Sequence, residues 1–226
     1  MYSIGGISVL LITLSVLPIW RVTTVEVSNN QHYSKEEIEK VLLIDNEPFW
    51  GLSKKKLQKR LKKLPYIEDS QIAYGFPGKI KVRLVEKIPY GYVPFMGTYL
   101  CIDEKGQVIE QTNGRSEGIP IIKGLSFNAF RTGELLPLES EDPLLVAMEI
   151  IDTLKKYNFD KNITTVDVYD LEQIHLYVHN LDAIIGNIQH FEEKLQQLIK
   201  IQESFDMGQL DLSQIPNGEV ILSPIK

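Results

Sequence analysis

Cysteine is nearly absent from this chain. Its 226 residues contain one, Cys101, which excludes an intramolecular disulfide and a cysteine-based zinc cage. Stability must therefore come from packing, and Cys101, between Leu100 and Ile102, reads as a small buried hydrophobe. Histidine is scarce as well. His175 and His179 have a ligand-like spacing, but Ile174, Leu176 and Val178 alternate around them and mark a strand. Residues four apart on a strand lie about 13 Å apart, too far to share one ion. Excess positive charge is also lacking. The chain has 24 Lys and Arg against 30 Asp and Glu, a net charge of −6, which argues against a general nucleic-acid binder. The sequence contains no nucleophile elbow, zincin, dinucleotide-binding or P-loop motif. Asp103–Glu104 and Asp167/Asp170 resemble acid/base pairs only in composition, since a hairpin turn explains Asp103 and a strand's solvent face explains Asp167. The chain is expected to be no enzyme, with no metal, cofactor or small-molecule substrate. What is present is an ordinary globular balance, 43% hydrophobic and 24% charged, enough for a sizeable core.

Residues Ile4 to Trp20 carry no charge. At 1.5 Å rise they would cover roughly 26 Å, near the lower limit for crossing the hydrocarbon layer. Trp20 and Arg21 follow, an aromatic and a cation suited to headgroup level. A cleaved signal peptide would show a basic start and a small-residue cleavage site, which this segment lacks. Residues 1–21 are therefore expected to be a transmembrane anchor in contact with membrane lipid. A simple positive-inside count, with Arg21, Lys35 and Lys40 after the segment and no cation before it, would place the remainder in the cytoplasm.

The next unit spans residues 22–87. Val22–Ser28 is rich in β-branched residues and reads as a strand that Asn29–Asn30 ends. Ser34-Lys-Glu-Glu37 has the form of a capping box and opens a helix with Ile38, Val41 and Leu42 on one face. A second helix starts near Ser53, with Leu57, Leu61 and Leu64 recurring at helical spacing before Pro65. Gln71–Tyr74, a turn at Phe76-Pro-Gly78 and the strictly alternating Lys79–Leu84 give two more strands. The order is β-α-α-β-β.

Residues 88–224 form the second unit. Tyr99–Asp103 and Gln107–Glu110 flank a hairpin loop in which Gly106 supplies the left-handed residue. Residues 112–139 read as loops and short strands, including the apolar Ile119–Ile122. Asp142-Pro143 opens a helix with Leu145, Met148, Ile151 and Leu154 on one face. Val166–Val168 and Ile174–Val178 alternate as strands, and Asn180-Leu-Asp182 reads as a turn into Ala183–Ile185. A long amphipathic helix spans about Gln189 to Phe205. Strands Gln209–Ser213 and Glu219–Ser223 close the chain. The expected class is α+β: a transmembrane helix, the β-α-α-β-β unit, then a mainly antiparallel β domain with helices.

The β-α-α-β-β order resembles a POTRA domain. Leu64-Pro-Tyr-Ile67, Ser70, Phe76-Pro-Gly78 and Val85-Glu-Lys-Ile-Pro89 resemble the signature of the FtsQ/DivIB family of bitopic bacterial cell-division proteins. Tyr99–Asp103 with Gly106–Ile109 resembles the hairpin opening that family's second domain. Gly186 with Phe191–Leu195 resembles the start of its helix, and Leu210–Leu212 its penultimate strand. The family usually carries a cytoplasmic tail where this chain has Met1–Ser3, and often a Gly-Asn turn where this chain has Asn29–Asn30. The resemblance implies a non-catalytic septal scaffold with extracytoplasmic domains. It would bind FtsB/DivIC-like and FtsL-like division proteins and help control septal wall synthesis.

Glu219–Leu222 is short, apolar and near the chain end, so it is expected at a sheet edge, where another chain can add a strand. The resemblance carries partner docking onto Val220, Ile221 and Leu222, with Phe191 and Leu195 on the helix flank as further candidates. Lys54, Lys55, Lys56, Lys59 and Arg60 make the second POTRA helix strongly basic. They read either as a solvated face or as a contact for an anionic surface. Two other readings fit less well. A secretion or assembly factor that receives client polypeptides would continue into a β-barrel, whose ten-residue alternating segments this chain lacks. A membrane-tethered hydrolase would need a nucleophile–base arrangement.

Overall fold

The computed structural model describes residues 22–43, 52–75, 77–202, 204, 207–216, 218 and 221–223. The expected anchor at 1–21 lies outside them, and among the described residues no helix is long and apolar enough to cross a membrane. The chain divides into two compact units, residues 1–87 and 88–226.

In the first unit, β1 (Thr24–Ser28), α1 (Lys35–Leu42), α2 (Lys54–Leu61), β2 (Ile67–Gly75) and β3 (Lys79–Glu86) follow the expected order. The sheet runs β1-β3-β2, with β1 parallel and β2 antiparallel to β3. The capping box of α1 is present in both directions: Ser34 Oγ accepts from the Glu37 amide, and the Glu37 carboxylate accepts from the Ser34 amide at 2.8 Å. Ile38 and Leu42 of α1 and Leu57 and Leu61 of α2 are fully buried against Ile80, Val82 and Leu84 of β3. Those β3 positions alternate with exposed Lys81 and Arg83, the pattern a half-covered sheet imposes.

The second unit holds a nine-stranded sheet in the order β12-β11-β10-β9-β8-β7-β4-β5-β6. Its strands are β4 (Gly91–Phe95), β5 (Thr98–Ile102), β6 (Val108–Thr112), β7 (Ile121–Lys123), β8 (Ile163–Asp167), β9 (Ile174–Val178), β10 (Asn180–Gly186), β11 (Met207–Asp211) and β12 (Ile221–Ser223). Five of its pairings are antiparallel and three parallel. Two helices, α3 (Asp142–Lys156) and α4 (Phe191–Gln202), share one core with the sheet.

Several details differ from the sequence reading. The buried stripe of α3 is Leu144, Ala147, Ile150, Ile151 and Leu154, whereas Leu145 is 58% exposed. The adjacent leucines offered two stripes about 100° apart, and the sheet selected the one containing Ala147, whose small side chain permits close approach. Asn180–Asp182 belongs to β10. The turn sits at His179, whose φ of 53° completes a tight hairpin to β9. β4 was not anticipated at all. Pro94 argues against a central strand, but β7 reaches only Tyr92, so no ladder partner on that side needs the missing N–H. Phe205 lies outside the described residues.

Candidate docking edge

Strand β12 owes its position to the crossover that precedes it. β10 ends at Gly186, with φ +69°, where a Cβ would come within 2.9 Å of the Ser213 Cβ. A side chain is therefore excluded twice, by backbone conformation and by the close approach of the neighbouring segment. The chain then rises through α4 and returns as β11, parallel to β10, as a parallel pair requires. Phe191, Leu195 and Leu198 hold that crossover on the core. β12 folds back antiparallel on β11, with Leu210 opposite Leu222 and Asp211 opposite Ile221. Among the described residues β12 has no neighbour on its other side.

The strands leading to this edge are tied together by polar side chains. Asp182 of β10 joins His175 Nδ1 of β9 at 2.7 Å and accepts from Gln209 Nε2 of β11 at 3.1 Å. Tyr177 stacks on His175. Its burial, with the Asp182 and Asp167 carboxylates nearby, pushes its hydroxyl pKa up. On the helical side, Lys156 of α3 reaches Glu192 of α4 at 2.7 Å, and the Tyr157 hydroxyl donates to the same carboxylate at 3.0 Å. These two donors hold the Glu192 carboxyl below its ordinary range. Lys194 is 1% exposed and donates Nζ to the Asn187 carbonyl at 2.9 Å, pinning the first turn of the crossover. Burial pushes its ammonium pKa down.

The expected site residues separate. Ile221 and Leu222 lie in β12; Val220 lies outside the described residues. Phe191 and Leu195 are corrected by the structure: at 6% and 0% exposure they belong to the core, because the apolar face of α4 is the one the sheet covers. Lys54, Lys55, Lys56 and Lys59 are exposed on α2. Arg60 has another task, donating Nη1 to the Leu42 carbonyl at the end of α1. Asp103 stabilises its hairpin, accepting at 2.9 Å from the amides of Lys105 and Gln107. Cys101 is fully buried.

Sequence reasoning missed Lys194 and a cluster around Tyr90. The Tyr90 hydroxyl donates to Asp152, and Lys155 Nζ lies 3.5 Å from the Tyr90 ring centroid, beside a cleft of about 510 Å³ lined by Pro120, Ile151 and Lys161. Burial, then the Asp152 carboxylate, raises the Tyr90 hydroxyl pKa, and burial lowers that of Lys155. Tyr90 and Asp152 are 62 positions apart, so no local pattern announces their meeting.

Residues 20–87 match the POTRA domain, FtsQ-type. Over 202 residues, 88% of this chain and 76% of the relative, it is 25% identical to the cell division protein DivIB of Clostridium tetani. It is 22% identical over 192 residues to DivIB of Bacillus subtilis, 84% of this chain and 69% of that one. It is 26% identical over 188 residues to the cell division protein FtsQ of Syntrophotalea carbinolica, 80% of this chain and 65% of that one. The first unit is thus an FtsQ-type POTRA domain, and over most of its length the chain is similar to the cell division proteins DivIB and FtsQ, which supports a role in division.

Proposed function

We propose that this chain is a non-catalytic division scaffold that captures another division protein by strand addition at β12. Residues Ile4–Trp20 anchor it in the cell membrane, both folded units lie outside the cytoplasm at the septum, and Val220, Ile221 and Leu222 form the docking strand. The partners are small bitopic proteins of the FtsB/DivIC and FtsL kind, and their capture helps to set septal wall synthesis. One observation carries the reading: β12 ends the nine-stranded sheet with a neighbour on one side only among the described residues. A row of unpaired backbone donors and acceptors gives an incoming strand its affinity and register. The names of the relatives favour division over the secretion or assembly reading.

The test is co-purification of the full chain with an FtsB/DivIC-like partner. Leu222→Pro removes a backbone N–H, and Ile221→Asp brings a charge to the strand. Each is expected to weaken capture about tenfold or more, equivalent to ~1.4 kcal/mol or more, while circular dichroism and the thermal midpoint change little. Full capture by both variants overturns the assignment.

A further inference from the structure

The two helices of the POTRA unit follow opposite charge rules. α1 has Glu36 and Glu37 in its first turn and Lys40 in its last, complementing the partial charges of its ends. The first turn of α2 contains no acid and begins Lys54, Lys55, Lys56, and Ser53 makes no side-chain cap bond. The α2 core face, Leu57 and Leu61, needs none of these lysines. Three other cations of the unit are paired: Lys79 and Lys81 with Glu26 at 3.3 and 3.6 Å, and Lys62 with Asp69 at 3.3 Å. Among the described residues no carboxylate pairs with Lys54, Lys55 or Lys56, and Lys54 Nζ instead lies 5.4 Å over the Tyr74 ring.

The fold gives these three lysines a direction. Thr23 and Thr24 donate their amides to the Gly78 carbonyl at 2.8 and 3.2 Å, so the chain enters the sheet beside the β2–β3 turn. Tyr74 is next to last in β2, beside the same turn, and its hydroxyl donates to the Leu52 carbonyl, seating the start of α2 at that end of the sheet. From there α2 runs away. Gln58 reaches the Ser70 carbonyl at 2.6 Å and Lys62 reaches Asp69, both near the opposite end of β2. Lys54 and Lys62 are separated by roughly 12 Å along the helix axis. The uncharged run Ile4–Trp20 ends four residues before Thr24. Four residues span at most about 14 Å, so a membrane holding that run lies close to the Lys54 end of α2.

We infer that Lys54, Lys55 and Lys56 form a contact for the anionic headgroups of the membrane in which the chain is anchored. Lys63, beyond the far end of the same helix and about 10 Å or more further along than Lys56, stays clear of it. This fixes the height of the POTRA unit above the bilayer, and it rests on the anchoring proposed above. Attraction of this kind acts within about a Debye length, roughly 8–10 Å, and is screened by salt.

The experiment reconstitutes the full chain into vesicles of phosphatidylcholine with or without phosphatidylglycerol, then labels lysines briefly with an acetylating reagent and reads each site by mass spectrometry. Acetylation of Lys54–Lys56 is expected to slow several-fold with phosphatidylglycerol and to recover in molar salt, while Lys63 reacts alike in both vesicles. Protection spread evenly along α2, or none, in chains that resist carbonate extraction overturns this contact alone. Chains that carbonate strips from the vesicles overturn the anchoring and this contact together.

Discussion

The two ends of the nine-stranded sheet are treated differently. At the β6 end the chain covers the start of its own edge strand. Residues 131–136 fold alongside: Val108 donates to the Glu134 carbonyl at 2.9 Å, Gly133 donates to the Val108 carbonyl at 2.7 Å, and Gln107 and Leu135 form an antiparallel bridge. At the β12 end a three-residue strand closes the order, and no described segment lies against it. Exposed strand edges are an association hazard that proteins blunt by covering them or keeping them short. One domain applies the first device at one end and only the second at the other, and the capture proposed at β12 rests on that contrast. The support behind that end is stiff: Asp182 links three strands, and the Lys156–Glu192–Tyr157 group clasps α3 to α4.

The comparison breaks most severely at the covered edge. Leu136 is 6% exposed in the core, and its amide donates to the Gly106 carbonyl at 3.0 Å. Leu136→Asp buries an unpaired charge and is expected to cost ~3 kcal/mol or more. It also frees the 131–136 strap, so the second unit acquires two open edges. Urea denaturation measures the first effect and concentration-dependent self-association, by light scattering, the second. A variant that stays monomeric with its strap detached would show that β6 needs no cover.

A milder blow falls on the hairpin behind the same edge. Gly106 has φ +77°, and a Cβ there would meet Leu144 Cδ2 at 2.7 Å. Gly106→Ala is expected to cost about 1–3 kcal/mol, read from the shift in thermal midpoint, with capture at β12 unchanged. Loss of capture would mean that the two edges are coupled through the sheet.

The smallest effect belongs to the open end and depends on pH. Burial holds the Lys194 pKa below its unfolded value, so between those two values the unfolded chain binds more protons than the folded one. Stability therefore rises with pH across that window and levels off above the unfolded value near about 10.4. Lys194→Met is expected to remove this slope, compared by urea midpoints between neutral and alkaline pH. An unchanged slope would show that the ammonium is solvated.

The POTRA unit was largely legible because its signals are local. The Ser34–Glu37 box lies within four residues, the α2 leucines repeat at helical spacing, and β3 alternates without a break. The second unit was legible in its parts and obscure in its assembly. Its strongest local signals, the Asp103–Gly106 loop and the alternation of Ile174–Val178, gave the expected elements. Lys194 occupies a position that a helical wheel places with Phe191, Leu195 and Leu198, yet nothing in its neighbours supplies the Asn187 carbonyl that makes burial tolerable.

By itself the sequence determined the order of elements in the POTRA unit, the two-part organisation of signals and the likeness to division proteins, because periodicity, caps and turns act over a few residues. Tertiary structure alone decided which leucine of α3 is buried, that Phe191 and Leu195 face inward, that Arg60 serves a carbonyl, and that the start of β6 is covered while β12 ends the sheet. Those outcomes depend on which distant segments compete for the same surface and the same backbone hydrogen bonds, and that competition is settled only when the whole chain packs.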